Sequence, residues 1–379
     1  MASDEKGVRD EIGFLGVHQR YSDRFFPGTS VLHTKLRYVL FVPWIYQDEQ
    51  MKPSKNQRTQ ESIKQREYNL TGRLINEPSG VIGSRNYPSP VDQRPSEVYW
   101  GALKRWGILR EQEGAGAPSR HQVEQMVSAK RSTVLKDDEG TAIAARDWPF
   151  LCPQAPDEWK REGEGTLRFR LLPAEKTFLA KRLRSLTSPD NPGEKSIFAR
   201  LVGEDVSKAR NVWGRQVLQL AGAEQAALVR AGQVAALSAI GRAVYAAQVE
   251  TLRDELDRLP TSDKQRRALP SVSARWRERA ARLDWDRFIQ DVDSLTPLVS
   301  EALRRTHDWV RANGSDPMTL EPAYRDAEQS RKGRRARLSR SQFGVDQRTE
   351  WDNEAHPPAT PLHYRWDRVQ MLLADLVEA

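Results

Sequence analysis

The chain has little cysteine, no long apolar run and no paired metal-ligand spacing, and each lack removes a class of protein. Its single cysteine, Cys152 in WPFLCPQAPD, rules out an intramolecular disulfide and fits a reducing compartment. With no histidine near it in sequence, it reads as a buried structural thiol. No uninterrupted apolar stretch approaches the ~20 residues that span a bilayer. The first ten residues, MASDEKGVRD, are charged where a signal peptide would be apolar. A cytoplasmic protein with no membrane partner is expected. The six histidines, His18, His33, His121, His307, His356 and His363, show no ligand pattern, so no metal and no other cofactor is expected. Phosphate-binding glycine loops and nucleophile elbows are missing too, which argues against a nucleotide-driven motor or a serine hydrolase.

Acidic residues are also missing, locally, from the most apolar part of the chain. Residues 25–46, FFPGTSVLHTKLRYVLFVPWIY, contain none. Pro27 and Gly28 form a turn pair, and Thr29 or Ser30 can cap a helix that starts near Val31. From residue 38 to 46 that helix is apolar nearly all round, which predicts burial, and Pro43 should kink or end it. His33 and Arg37 lie one helical step apart, with Lys35 between them. A helix start with free amides and three nearby bases is a plausible phosphate or carboxylate site; a core helix with a solvated first turn is the plainer alternative.

The remaining sequence is mostly helical in pattern. Residues 96–109, SEVYWGALKRWGIL, read as a helix with Ser96 at its N-cap and Gly107 at its end, carrying more rings (Tyr99, Trp100, Trp106) than one core face accepts. The turn-rich stretch 76–95 holds Ser84 and Arg85, and such loops often carry binding residues. Residues 136–165, rich in Asp, Glu, Gly and Pro, read as connection and surface. TLRFRL at 166–171 alternates apolar and basic residues as a half-buried strand does. Beyond Pro173 the pattern is helical, with an Ala-rich tract over 205–259 that its glycines should interrupt and pack tightly. The expected fold is mainly α with a small β component. A mixed region, 1–165, would carry the site, followed by a mainly helical region, 166–379.

Charge points to a polyanionic partner without establishing one. Across 379 residues, 60 Lys and Arg face 52 Asp and Glu, a net charge of +8. The densest patch is RKGRRARLSR at 331–340, where Arg331, Lys332, Arg334, Arg335, Arg337 and Arg340 stand with no acid. Guanidinium groups there could neutralise phosphates. A second patch interleaves Arg275, Arg277, Arg279, Arg282 and Arg287 with Trp276 and Trp285, but Glu278, Asp284 and Asp286 fit ordinary surface pairing.

Taken together, FFPGTSVLHTKLRYVLFVPWIY, PSEVYWGALKRWGIL, TLRFRLLPAEKTFLAKRL, AIGRAVYAAQVETL and LHYRWDRVQMLLADLV resemble one bacterial family, a numbered domain of unknown function. That family is met in genomic islands carrying antiviral defence and DNA-processing genes. The resemblance implies a DNA-associated component of a defence or DNA-modification system, with partners such as a helicase or nuclease. It brings no catalytic set with it. Three readings stay open: a DNA-binding component; an enzyme on a modified DNA base, converting the nitrile of a 7-cyano-7-deazaguanine to its amide; and a structural subunit. In the enzyme reading, His33, Arg37, Arg85 and Tyr99 form the catalytic cleft. Thr29, Ser30, Lys35 and Trp100 contact nucleic acid beside it, as does the patch at 331–340.

Overall fold

Apolar residues at helical spacing, punctuated by Pro, Gly and Asp, fold into helix after helix. The computed structural model describes residues 12–51, 58–89, 93–112, 114, 116–130, 148–259, 262–293 and 295–377. In chain order the α-helices are α1 (Phe14–Phe25), α2 (Tyr38–Met51), α3 (Thr59–Arg73), α4 (Pro95–Arg105), α5 (Arg120–Lys130), α6 (Pro173–Arg184) and α7 (Ile197–Leu201). They continue with α8 (Arg215–Leu220), α9 (Gln225–Thr251), α10 (Lys264–Ala281), α11 (Trp285–Asp291), α12 (Pro297–Arg311), α13 (Glu321–Lys332), α14 (Gln342–Thr349) and α15 (Trp366–Val377). No helix among the described residues is long and apolar enough to cross a membrane.

The expected β component does not form. Among the described residues, β pairing is limited to three isolated bridges, Leu109 with Phe150, Gln112 with Gly116 and Thr187 with Lys195. Leu167, Phe169 and Leu171 do point inward while Arg168 and Arg170 are exposed, so the alternation was real. Its hydrogen bonds go elsewhere. The amides of Gly165 and Leu167 donate to the carbonyls of Gly72 and Arg73 (3.0 and 2.9 Å), at the end of α3. The segment thus satisfies carbonyls that a helix end leaves over, and no neighbouring strand is needed.

The chain divides into two compact units, and each is discontinuous. One comprises the chain up to Ser22 with Ala209–Tyr364; the other comprises Asp23–Lys208 with Arg365–Ala379. In the first, α9 is the buried axis, and α10 packs along it. Small residues on α9 make room for rings: a β-carbon on Gly232 would lie 2.7 Å from Trp213, and one on Gly241 2.7 Å from Phe14. The Ala-rich tract is broken by a 3-10 turn at Gly222–Glu224 before α9 and a π turn at Leu252–Leu256 after it, but Gly232 and Gly241 do not interrupt α9 itself.

In the second unit α2 is the core, with every residue from 38 to 46 buried. Pro43 does not end it, and the helix runs on to Met51. Loss of one backbone donor is outweighed where a whole apolar segment is removed from water. The expected helix start near Thr29–Val31 is not there either. The Tyr99 hydroxyl accepts the amides of Thr34 and Lys35 (2.9 and 3.0 Å), and Asp375 Oδ2 accepts that of Leu36 (2.7 Å). Side chains thereby hold in turns the donors that an earlier helical turn would need. Ser96 is likewise not a cap: α4 begins at Pro95, and Glu97 reaches back to the amide of Arg94 (3.2 Å).

Candidate functional site

The six bases at 331–340 run from the last turn of α13 into a turn that buried charges hold in place. Glu328, fully buried on α13, accepts the Tyr245 hydroxyl (2.6 Å), the Lys332 ammonium (3.1 Å) and the amide of Leu338 (2.8 Å). Arg348, buried on α14, pairs through two nitrogens with Asp257 (2.5 and 2.7 Å), which follows the π turn. Its remaining nitrogen, Nη1, donates to the carbonyls of Arg337 and Ser339. Gly333 at φ +53° and ψ −123° turns the chain where a side chain would be strained. Gly344 lets the backbone close in, since a β-carbon there would sit 1.9 Å from the Ser339 carbonyl oxygen.

This frame leaves the cations outward. Arg331, Arg334, Arg335 and Arg340 are exposed, while Lys332 and Arg337 are half-buried. Arg334 stacks at 4.7 Å on the ring of Phe343, which is itself 47% exposed, and Arg340 is 3.6 Å from Glu321. A large exposed ring beside a guanidinium plane is a surface on which an unstacked base can lie.

The N-terminal residues converge too, but as packed interior. His33 and Tyr99 stack face to face, 4.3 Å apart and 6° from parallel, both fully buried. His33 Nδ1 accepts the Ser30 amide (3.3 Å), so Nε2 carries the proton and donates to the Val98 carbonyl (3.2 Å). Burial, above all, then the nearby Arg365 charge, hold its pKa down at about 4 against a partly opposing backbone bond from Val98. Tyr99 returns its own proton to the Lys35 carbonyl (2.7 Å). Arg37 is 1% exposed and fully engaged. Its Nε and Nη2 donate to Glu175 (2.9 and 2.8 Å), its Nη1 to the Arg168 carbonyl (2.7 Å), and Glu158 lies 2.6 Å away without hydrogen-bond geometry. Lys35 pairs with Asp375 (3.1 Å).

Thr29 is buried, with its hydroxyl on the Phe26 carbonyl (2.7 Å); Ser30 Oγ accepts the Leu32 amide (3.2 Å). Trp100 is half-buried against Tyr46 and Phe150 and donates to the Pro118 carbonyl (3.2 Å). The 80–82 turn packs onto this segment through Thr34 to Gly80 (2.6 Å) and Ile82 to Tyr38 (2.9 Å), but Arg85 itself is exposed. Cys152, expected to be buried, is half-buried, and burial pushes its thiol up to about 12, which disfavours the thiolate at neutral pH.

Sequence reading passed over a third group of residues, which line a groove beside α3. They include Asp48, Arg73, Tyr68, Tyr87 and Trp159. Trp159 was the available signal, one of two tryptophans, with Trp148, in the acid-rich stretch 136–165. Among the described residues, no cluster of three His, Cys, Asp or Glu side chains is arranged to hold a metal ion.

Comparison with known proteins adds one match. Residues 3–122 fit the model of a family described as a family of unknown function (DUF6361), which takes in α1 to α4 and the stacked His33 and Tyr99. No curated protein and no solved structure matches the chain significantly.

Proposed function

We propose that this protein binds nucleic acid, DNA in the first place, through the turn at 331–340. The observation that carries the reading is that buried Glu328 and the buried Arg348–Asp257 pair fix the backbone of a six-base segment, four of whose side chains are exposed. A charged loop that merely keeps a protein soluble has no need of two buried ionic anchors, which are costly to desolvate. Preorganised guanidinium groups lose less entropy when they meet phosphates. Phe343 with Arg334 gives the surface one stacking position beside the phosphate contacts. A DNA-binding protein also suits the antiviral defence or DNA-modification setting that the family resemblance implies.

The test is duplex affinity against salt for the wild type and for the variant carrying Arg334→Glu and Arg335→Glu. Each lost phosphate contact should lower the slope of log K against log [salt] by about 1, so the slope falls by about 2. Unchanged affinity and slope in a folded variant would remove the turn from any nucleic-acid role.

A further inference from the structure

In the unit built on α2, the outer face of α6 carries no acid. Within Pro173–Arg184 the one carboxylate is Glu175, which is buried and spent on Arg37 (2.8 Å) and the Leu172 amide (3.0 Å). Leu179 and Leu183 fix the helix to the core, and its last turn brings out exposed Lys181 and Arg184 with half-buried Arg182 between them. Helix α4 ends beside it. A β-carbon on Gly107 would lie 3.6 Å from Arg182 Nη1, so half-buried Lys104 and exposed Arg105, in the last turn of α4, adjoin the last turn of α6. Buried Trp106 anchors that end through its indole N–H, which donates to the Pro27 carbonyl (2.9 Å).

Five cations thus gather at two helix ends. The negative end of a helix dipole attracts cations, and that alone would place some bases here. It does not account for their lack of partners. Among the described residues, none of Lys104, Arg105, Lys181 and Arg184 makes an ion pair or a side-chain hydrogen bond, not even to the terminal carbonyls. Arg182 lies over the half-buried Phe178 ring, 5.3 Å from its centre. The acids that follow α6 are already paired, Asp190 with Arg24 (3.1 Å) and Glu194 with Arg200 (3.0 Å). Arg184 Nη2 would be 3.2 Å from a β-carbon on Gly203, and the exposed Glu204 and Asp205 that follow Gly203 offset part of the charge. The remaining positive charges repel one another, a cost that a polyanion would remove.

We infer that the adjoining ends of α4 and α6 form a second nucleic-acid contact, one that holds the phosphate backbone and reads no bases. Unpaired lysine and arginine side chains on a convex surface supply charge for phosphates and no fixed donor pattern for a base edge. A protein partner would need an apolar centre to its interface, and these helix ends expose no large apolar side chain. A lipid surface is a poorer fit for the same reason, since Phe178 stays half-buried under Arg182 and nothing apolar projects to enter the bilayer. The contact belongs to a different unit from the 331–340 turn, and the inference does not rest on that turn binding DNA.

Duplex affinity against salt tests this on four full-length chains: the wild type, Lys181→Glu with Arg184→Glu, Arg334→Glu with Arg335→Glu, and the chain carrying all four substitutions. The α6 variant should keep the wild-type melting temperature and lose about 2 from the slope of log K against log [salt]. The fourfold variant should lose about 4. Arg184→Lys, which keeps the charge, should keep the wild-type slope, and the α6 loss should be the same on duplexes of unrelated sequence. A slope unchanged by the α6 substitutions in a folded chain would overturn the inference. So would a loss seen only with vesicles containing phosphatidylserine, which would make the patch a membrane contact. If the α6 variant loses its share while the Arg334 and Arg335 variant does not, the reading of the turn fails and this one stands.

Discussion

Two stretches of this chain, 29–37 and 331–340, are both basic and both free of acid, and folding treats them in opposite ways. In the first, each base has found an acid or a carbonyl from elsewhere: Lys35 has Asp375, Arg37 has Glu175 and Glu158, and His33 is neutral between Ser30 and Val98. In the second, the buried ionic groups hold the backbone, through the Leu338 amide and the Arg337 and Ser339 carbonyls, and four of the six side chains are left exposed. The lesson concerns range. Absence of acid along the chain says nothing about acid across it, because a folded interior neutralises charges that it cannot hydrate.

If that contrast is right, the largest stability effect comes from the inner stretch. Arg37→Ala would leave Glu175 buried without its guanidinium, and should cost about 3–5 kcal/mol. Glu175 also accepts the Leu172 amide at the start of α6, so Glu175→Ala should be damaging in its own right. The double variant should lose less than the sum of the two, and chemical denaturation of all four chains measures the coupling. Additive losses would mean that the pair is not an energetic unit.

A somewhat smaller effect is expected from pH. The folded-state pKa of His33 is near 4, below the value near 6.5 of an unfolded chain. Its contribution is therefore complete above pH 6.5 and is lost as pH falls toward 4, by about 3 kcal/mol. Glu67 acts in the opposite sense. Burial, the leading cause, raises its carboxyl to about 6, although the Ser96 amide and Arg94 pull the other way. Its contribution is present below about pH 4.5 and lost as pH rises through 6, a cost near neutrality of about 2 kcal/mol. Between pH 4.5 and 6 the two slopes oppose each other. Glu67→Gln should raise stability at pH 7 by about 1–2 kcal/mol and unmask the His33 slope in that window. A pH profile unaltered by the substitution would contradict this assignment.

How much of this was legible follows from the same contrast. The burial of residues 38–46, the helices at 95–105 and 173–184, and the interruption of the Ala-rich tract rest on local pattern, and local pattern survives folding. The strand at 166–171 was not recoverable: its alternation was correct, but whether such a segment pairs with a strand or with a helix end is decided by residues 72 and 73. The helix start at Thr29 failed for a similar reason, since Tyr99 and Asp375 take its amides. His33 and Tyr99, read as parts of one cleft, do meet, but as a stack in the interior. Nothing in the sequence joins Asp48, Arg73 and Trp159, which meet only through the return of the chain at 157–160.

The outer stretch should give the smallest stability effect and the largest binding effect, and one paired measurement puts the contrast at risk. Melting temperature and duplex affinity at low salt are determined for Arg335→Ala and for Arg37→Ala, with affinity expressed per folded molecule. Arg335→Ala should shift stability by no more than about 0.5 kcal/mol while weakening DNA binding and reducing its salt slope by about 1. Arg37→Ala should melt far lower and bind with unchanged affinity and slope once the folded fraction is counted. The opposite assignment, with Arg37 setting the affinity and Arg335 indifferent to it, would contradict the account.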